Sequence, residues 1–273
     1  MKIIISGDSW ACGEWGKGSA NIGWEKFYNT VKGNSWPKCP LFEDRNLLPD
    51  WIQLELANKF NYNLSEIKDY YLLHTGLEQY FTDAGFTVLN LSKGNTSNLT
   101  NLNSLANTDI DVNDIIIWFQ TEPIRDLRPY HTLENKFETV DQLIIERNNL
   151  LYLTYKRLNS LGNKIICIGG CSKLNKILMN KFENLSGQVE SFIELLLGEN
   201  AAPDFWISKN AWQHLFKHIT IDNTNTFMYN QLIIQSLKDN KEYFDLDATH
   251  PNRNGHKKLF NYLIDHENIF KRT

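Results

Sequence analysis

Two stretches far apart in the chain hold the side chains of a nucleophile and its base. Ser9 closes Gly7-Asp8-Ser9 near one end, and Asp247-Ala-Thr-His250-Pro251 lies near the other. A serine hydroxyl is a weak nucleophile at neutral pH and needs an adjacent base. Histidine is the usual base, and a carboxylate usually fixes its tautomer and stabilises its cation. Asp247 and His250 are close enough for one loop to present both, with Pro251 to stiffen it. Each motif alone has a plainer reading. Ser9 suits a helix N-cap, and Asp247–His250 suits a solvated loop before a helix capped by Asn252 or Asn254. Gly94-Asn95-Thr96-Ser97 is a third candidate. Its glycine lets backbone approach a ligand closely, and its N–H could serve an oxyanion hole, though a simple turn has the same composition.

Other chemistries lack their motifs. There is no Gly-x-Ser-x-Gly elbow, no Walker A, no Gly-x-Gly-x-x-Gly and no His-Glu-x-x-His. Cys12, Cys39, Cys167 and Cys171 are too few and scattered for a disulfide framework, and Cys167-x-x-x-Cys171 has no matching His/Cys pair for zinc. His214 and His218 share a helical spacing, which fits a solvated helix face better than a metal site. The expectation is therefore no metal and no organic cofactor. With 28 Lys+Arg against 32 Asp+Glu the net charge is −4, which excludes a nucleic-acid binder built on bulk positive charge. No stretch approaches the roughly 20 apolar residues of a membrane span, and Ser6-Gly7-Asp8 cuts the apolar start too short for a secretory signal. Those readings set the expectation of a cytoplasmic protein with neither nucleic acid nor membrane as partner.

The elements that must position these residues can be read from apolar runs. Ile3–Ile5, Phe86–Leu91, Ile115–Phe119 and Lys164–Ile168 read as strands, and the unbroken apolar runs suit a parallel sheet covered on both faces. Helical spacing runs from Asp50 to Phe60, around Ile67–Phe81, from Val140 to Leu161, and from Gly255 to Ile264. The stretch 172–240 reads as helical, with a short strand near Ala201–Ser208. Strands alternating with helices predict a three-layer α/β fold with a mostly parallel sheet. The expectation is one domain over 1–273 with insertions near 10–49 and 170–220. Sites in such sheets form beyond the carboxyl ends of the strands, which directs attention to Gly7–Ser9, Gly94–Ser97, Gln120–Arg125 and Gly169–Ser172. Trp10, Trp15, Trp24, Trp36 and Trp51 cluster early in the chain, where they either fill core or line a pocket.

Taken jointly, Gly-Asp-Ser after the first strand, a Gly turn after the second, a polar turn after the third and Asp-x-x-His near the end resemble the SGNH/GDSL hydrolase family. The segment Asp247-Ala-Thr-His250-Pro251-Asn252-Arg253-Asn254-Gly255-His256 is similar to that family's final block. The resemblance implies a flavodoxin-like sheet with Ser9 as nucleophile, His250 as base and Asp247 as its orienting carboxylate. It implies an oxyanion hole from the Ser9 and Gly94 N–H groups plus one side-chain donor. The reaction would be hydrolysis of a small-molecule or carbohydrate ester, such as an O-acetyl ester, or acyl transfer. A non-catalytic binding or structural module on the same fold is the rival.

Two departures from the family pattern matter. Asn90 to Gly94 is one residue shorter than the family's second block. Glu122 stands where the family places an Asn whose amide feeds the oxyanion hole. An ionised Glu only accepts hydrogen bonds. Either Glu122 is protonated, or Gln120 supplies the amide, or the hole has only backbone donors. Losing one such donor typically costs roughly 100- to 1000-fold in rate. Asp8, Asn95, Glu122 and Arg125 are the candidates to touch substrate, with Arg125 otherwise expected to pair with Glu122 or Asp126.

Overall fold

The computed structural model describes residues 1–12, 76–94, 96–127, 137–170, 172–199, 201–202, 243 and 250–266. In chain order the described elements are β1 (Ile3–Ser6), α1 (Leu77–Asp83), β2 (Val88–Asn90), α2 (Asn98–Ala106), β3 (Ile115–Gln120), a 3-10 turn (Pro123–Leu127), α3 (Val140–Asn159), β4 (Lys164–Gly169), α4 (Lys176–Met179), β5 (Leu185–Val189), α5 (Phe192–Leu197) and α6 (Arg253–His266). The strands form one sheet in the order β2-β1-β3-β4-β5, and every pairing is parallel. That order is shared with flavodoxin-like doubly wound folds.

Alternation along each strand divides the core into two layers. Ile3, Ile5, Ile115, Ile117 and Phe119 face one side, where Leu77 and Phe81 of α1, Phe192 and Leu196 of α5, and Leu259 and Leu263 of α6 cover them. Ile4, Ile116 and Trp118 face the other, under Leu102 and Leu105 of α2 and Leu151, Tyr155 and Leu158 of α3. The apolar runs of β1 and β3 are thus explained by burial on both faces. Trp10 packs edge-on against Phe192 in the first layer and is core. Trp15, Trp24, Trp36 and Trp51 lie outside the described residues.

Helix α3 starts where its capping chemistry sets it. The Thr139 hydroxyl accepts the Gln142 N–H at 3.2 Å, and the Gln142 side chain accepts the Thr139 N–H at 3.4 Å. At its far end Gly162 takes φ +77° and releases the chain into β4. The last helix spans Arg253–His266, slightly longer at both ends than its spacing predicts. Asn252 is its cap, accepting the Asn254 and Gly255 N–H groups at 2.9 and 3.1 Å.

Two elements correct the sequence reading. Strand β5 lies inside the stretch read as helical, and α2 was not foreseen. Leu-Ser-Gly-Gln-Val of β5 lacks both alternation and a β-branched run, and it is a strand because β4 pairs with it. Of the other expectations, the helix over 50–60, residues 67–75 of the Tyr-rich segment and the strand over 203–208 lie outside the described residues. No described helix is long and apolar enough to cross a membrane.

The amino ends of the strands are tied by Asp114. Its carboxylate accepts the Lys2 N–H at 2.6 Å and the Asp111 N–H at 3.1 Å, with the Lys2 ammonium at 3.4 Å. Burial alone would raise this carboxyl, but the two backbone donors and the Lys2 charge outweigh it and hold it below the ordinary aspartate value. Asp114→Ala is expected to cost about 2 kcal/mol, mostly from the buried donors left unmet. A depressed carboxyl stabilises the fold above its unfolded value, and that stability is lost as pH falls through the folded one. Urea unfolding at pH 7 and pH 3 should therefore show the variant's deficit shrinking at pH 3. An equal deficit at both would contradict this.

Candidate active site at the carboxyl ends of the strands

The sheet order reverses between β1 and β3, so the chain leaving these strands opens a crevice. Gly7-Asp8-Ser9 leaves β1 there. A Cβ on Gly7 would sit 2.6 Å from the Cβ of Phe119 and 2.9 Å from that of Ala11, so only glycine allows this close crossing of β1 and β3. Past Gly7 the backbone turns, with the Ala11 N–H donating to the Asp8 carbonyl at 3.0 Å. The Asp8 carboxylate accepts the Trp10 N–H at 3.0 Å through Oδ1. This turn leaves the Ser9 N–H without a protein acceptor among the described residues.

His250 arrives from the far end of the chain. Its Nε2 lies 2.8 Å from Ser9 Oγ, a hydrogen bond between residues 241 positions apart. With the ring proton on Nδ1, Nε2 accepts the serine O–H, the arrangement in which histidine can remove that proton. The histidine stands immediately before α6, and three contacts fix that junction. The Tyr80 hydroxyl of α1 donates to the Arg253 carbonyl at 3.0 Å, the Asn252 N–H donates to the Tyr243 carbonyl at 2.9 Å, and Leu259 and Leu263 bury α6 against the sheet. Ser9 is itself 8% exposed, so the pair is shielded yet reachable. Asp247, expected to orient the histidine, lies outside the described residues, as does Asn95.

The Gly94 turn is held against the β1 turn. The Lys93 N–H and the Thr96 hydroxyl both donate to the Gly7 carbonyl, at 3.2 and 3.3 Å, and so straddle Gly94. The Gly94 N–H has no protein acceptor among the described residues. Ser97 then caps α2 by accepting the Thr100 N–H. Asn98, fully buried at the helix start, clasps the strand end next door. Its amide donates to the Thr121 carbonyl at 2.7 Å and accepts the Thr121 N–H at 3.0 Å.

Glu122 is placed differently from what its position in the motif implies. Its Oε1 accepts Arg147 Nε at 2.8 Å, and its Oε2 accepts the Ser172 hydroxyl at 2.7 Å. Both partners of the ion pair are buried. Towards Arg147 Glu122 is an acceptor, since a guanidinium gives hydrogen bonds and accepts none. It does not present a loose carboxylate to substrate, because both oxygens are spent inside the protein. Gln120 turns towards the same helix, where its Oε1 accepts the Tyr155 hydroxyl. Burial pushes the Tyr155 phenol far up, so it keeps its proton and must be the donor. The Gln120 Nε2 is buried with no acceptor among the described residues. None of these bonds joins Gln120 to Ser9 or His250.

Asp8 and Arg125 also correct expectations. Arg125 pairs with Asp8, Nη1 to Oδ2 at 3.0 Å, and with neither Glu122 nor Asp126. The reason is sheet register, since β1 and β3 are neighbours and their exits lie side by side. Asp8 is buried with both oxygens engaged by Trp10 and Arg125, and so supports the turn. Asp126 accepts the Leu99 N–H of α2 at 2.9 Å; burial raises its carboxyl above the ordinary value despite the donors around it.

Sequence reasoning passed over Arg147, Tyr155 and Asn98, and marked Ser172 only as the end of a turn worth searching. A signal for the first was present. Leu143, Arg147, Leu151 and Leu158 share one buried face of α3, and an arginine inside an apolar stripe demands a buried anion. Cys167 offers no second nucleophile, because burial pushes its thiol up to about 12.

Compared with known proteins, the chain matches no family model, no curated protein and no solved structure.

Proposed function

We propose that this protein is a serine ester hydrolase of the SGNH/GDSL type. The observation that carries the reading is the 2.8 Å contact between Ser9 Oγ and His250 Nε2 at the carboxyl end of a parallel sheet. His250 takes the Ser9 proton as the hydroxyl oxygen attacks the ester carbonyl carbon. The carbonyl oxygen becomes an oxyanion, which the unspent N–H groups of Ser9 and Gly94 are available to receive. His250 then gives its proton to the departing alcohol, leaving an acyl-enzyme on Ser9. Water, deprotonated by the same histidine, releases the acid and restores the serine. Asp247 is assigned to the orientation of His250 on the strength of the Asp-x-x-His motif. The Arg147–Glu122 pair lessens one objection to this reading, because a carboxylate bound to a guanidinium and a hydroxyl does not stand free to repel an oxyanion; the hole then rests on backbone donors.

The direct test is intact-mass analysis after exposure to a fluorophosphonate. Wild type should gain one adduct and the Ser9→Ala variant none. A folded wild-type protein that gains no adduct would overturn the assignment and favour a non-catalytic module on the same fold.

A further inference from the structure

We propose that Arg125 is the anchor for an anionic group on the substrate, a carboxylate or phosphate carried near the scissile ester. The proposal rests on the ester-hydrolase reading and names its substrate class. A guanidinium presents five N–H donors in a rigid fork. Asp8 takes one of them, through a single contact at 3.0 Å. The Arg125 side chain makes no other hydrogen bond among the described residues, so Nε and Nη2 are unspent.

The two partners of this pair differ in exposure. Asp8 has a side chain 8% exposed and the Arg125 side chain is 27% exposed. The arginine is the more accessible of the two, so an approaching anion can reach the cation more readily than the carboxylate. The placement is also close to the chemistry. Asp8 is bonded in sequence to Ser9, and adjacent Cα atoms lie about 3.8 Å apart, so the guanidinium that Asp8 holds at 3.0 Å lies within roughly 13 Å of the nucleophile.

Arg125 is further held in place before any ligand arrives. It sits in the 3-10 turn, whose Pro123, Ile124 and Leu127 are buried. The next residue, Asp126, is tied to the start of α2 by the Leu99 N–H. A cation fixed from both sides loses little conformational freedom on binding, which favours recognition of a matching anion. The neighbouring carboxylates do not compete for the free edge of the fork. Asp8 is bound to Trp10, Glu122 to Arg147 and Ser172, and Asp126 to α2.

The experiment compares three activated esters: 4-nitrophenyl hydrogen succinate, its neutral methyl ester, and the corresponding 3-phosphonopropanoate. Wild type is expected to favour the charged esters in kcat/KM by roughly 10- to 100-fold over the neutral one, the usual worth of a charge-assisted hydrogen bond. The ratio of the two charged esters separates a carboxylate from a phosphate preference. In Arg125→Gln the charged-to-neutral ratio should fall to near one, and Arg125→Lys should retain part of it. Equal turnover of charged and neutral esters by wild type, or a preference that survives in Arg125→Gln, overturns the proposal while the turnover itself still supports a hydrolase. Binding of methyl hydrogen succinate, followed by calorimetry on Ser9→Ala with and without Arg125→Gln, decides the anion site independently of catalysis. Binding lost with Arg125 supports the proposal even if no ester is cleaved, and equal binding sinks it.

Discussion

Ser9→Ala and His250→Ala, each alone, are expected to lower kcat for 4-nitrophenyl acetate by at least about 10,000-fold, and the double variant should be hardly worse than either. The reason is the single hydrogen bond between Oγ and Nε2, through which the two side chains act as one unit. Without the imidazole the hydroxyl keeps its proton, and without the hydroxyl the imidazole has nothing to activate. Initial rates corrected for spontaneous hydrolysis measure this directly. Losses that multiplied, with the double variant another thousandfold slower, would mean that the residues serve separate steps. Neither change should unfold the protein, because the core beneath the site is made by β1, β3 and α6.

The second large effect concerns stability. Arg147→Ala is expected to cost about 3–5 kcal/mol, since it leaves the Glu122 carboxylate buried without its cation. Replacing both partners, for example Arg147→Met with Glu122→Leu, should cost much less than the single change, because no charge is then stranded. The signature is therefore a double variant more stable than one of its parents, read by urea unfolding at pH 7. A loss under about 1 kcal/mol for Arg147→Ala would mean that water reaches Glu122 and takes over from the guanidinium. Glu122→Gln is the gentler control, as its amide oxygen can still accept from Arg147 or Ser172.

Much of the framework could be read before the fold was known, and the reason is burial. β1, β3 and β4 are covered on both faces, so their sequences reduce to apolar runs that little else explains. Helix α3 declared itself through its period and its closing glycine. β5 did not, because an edge strand with Gly187 at its centre carries little pattern. That glycine answers a packing need, since a Cβ there would press on the end of Met179. Helix α2 was hidden by its Asn-rich composition, which favours turns as readily as helices.

At the site, Ser9 and His250 could be picked out because each follows or precedes a clear element and the chemistry demands a partner. The ion pairs could not. Glu122 and Asp126 are the carboxylates nearest to Arg125 in sequence, yet Asp8 wins because sheet register, which sequence spacing does not reveal, sets β1 beside β3. For Glu122 the motif position pointed at the oxyanion, while its side chain turns to α3.

The separation of Ser9 from His250 gives the molecule a built-in delay during synthesis. A ribosome releases the serine and then completes all five described strands by Val189, long before it delivers the histidine. Until α6 docks, the nascent chain carries a sheet with an unarmed hydroxyl. On the proposed hydrolase reading, reactivity switches on only when the two distant segments meet, and covalent labelling of Ser9 would then report finished folding as well as chemistry.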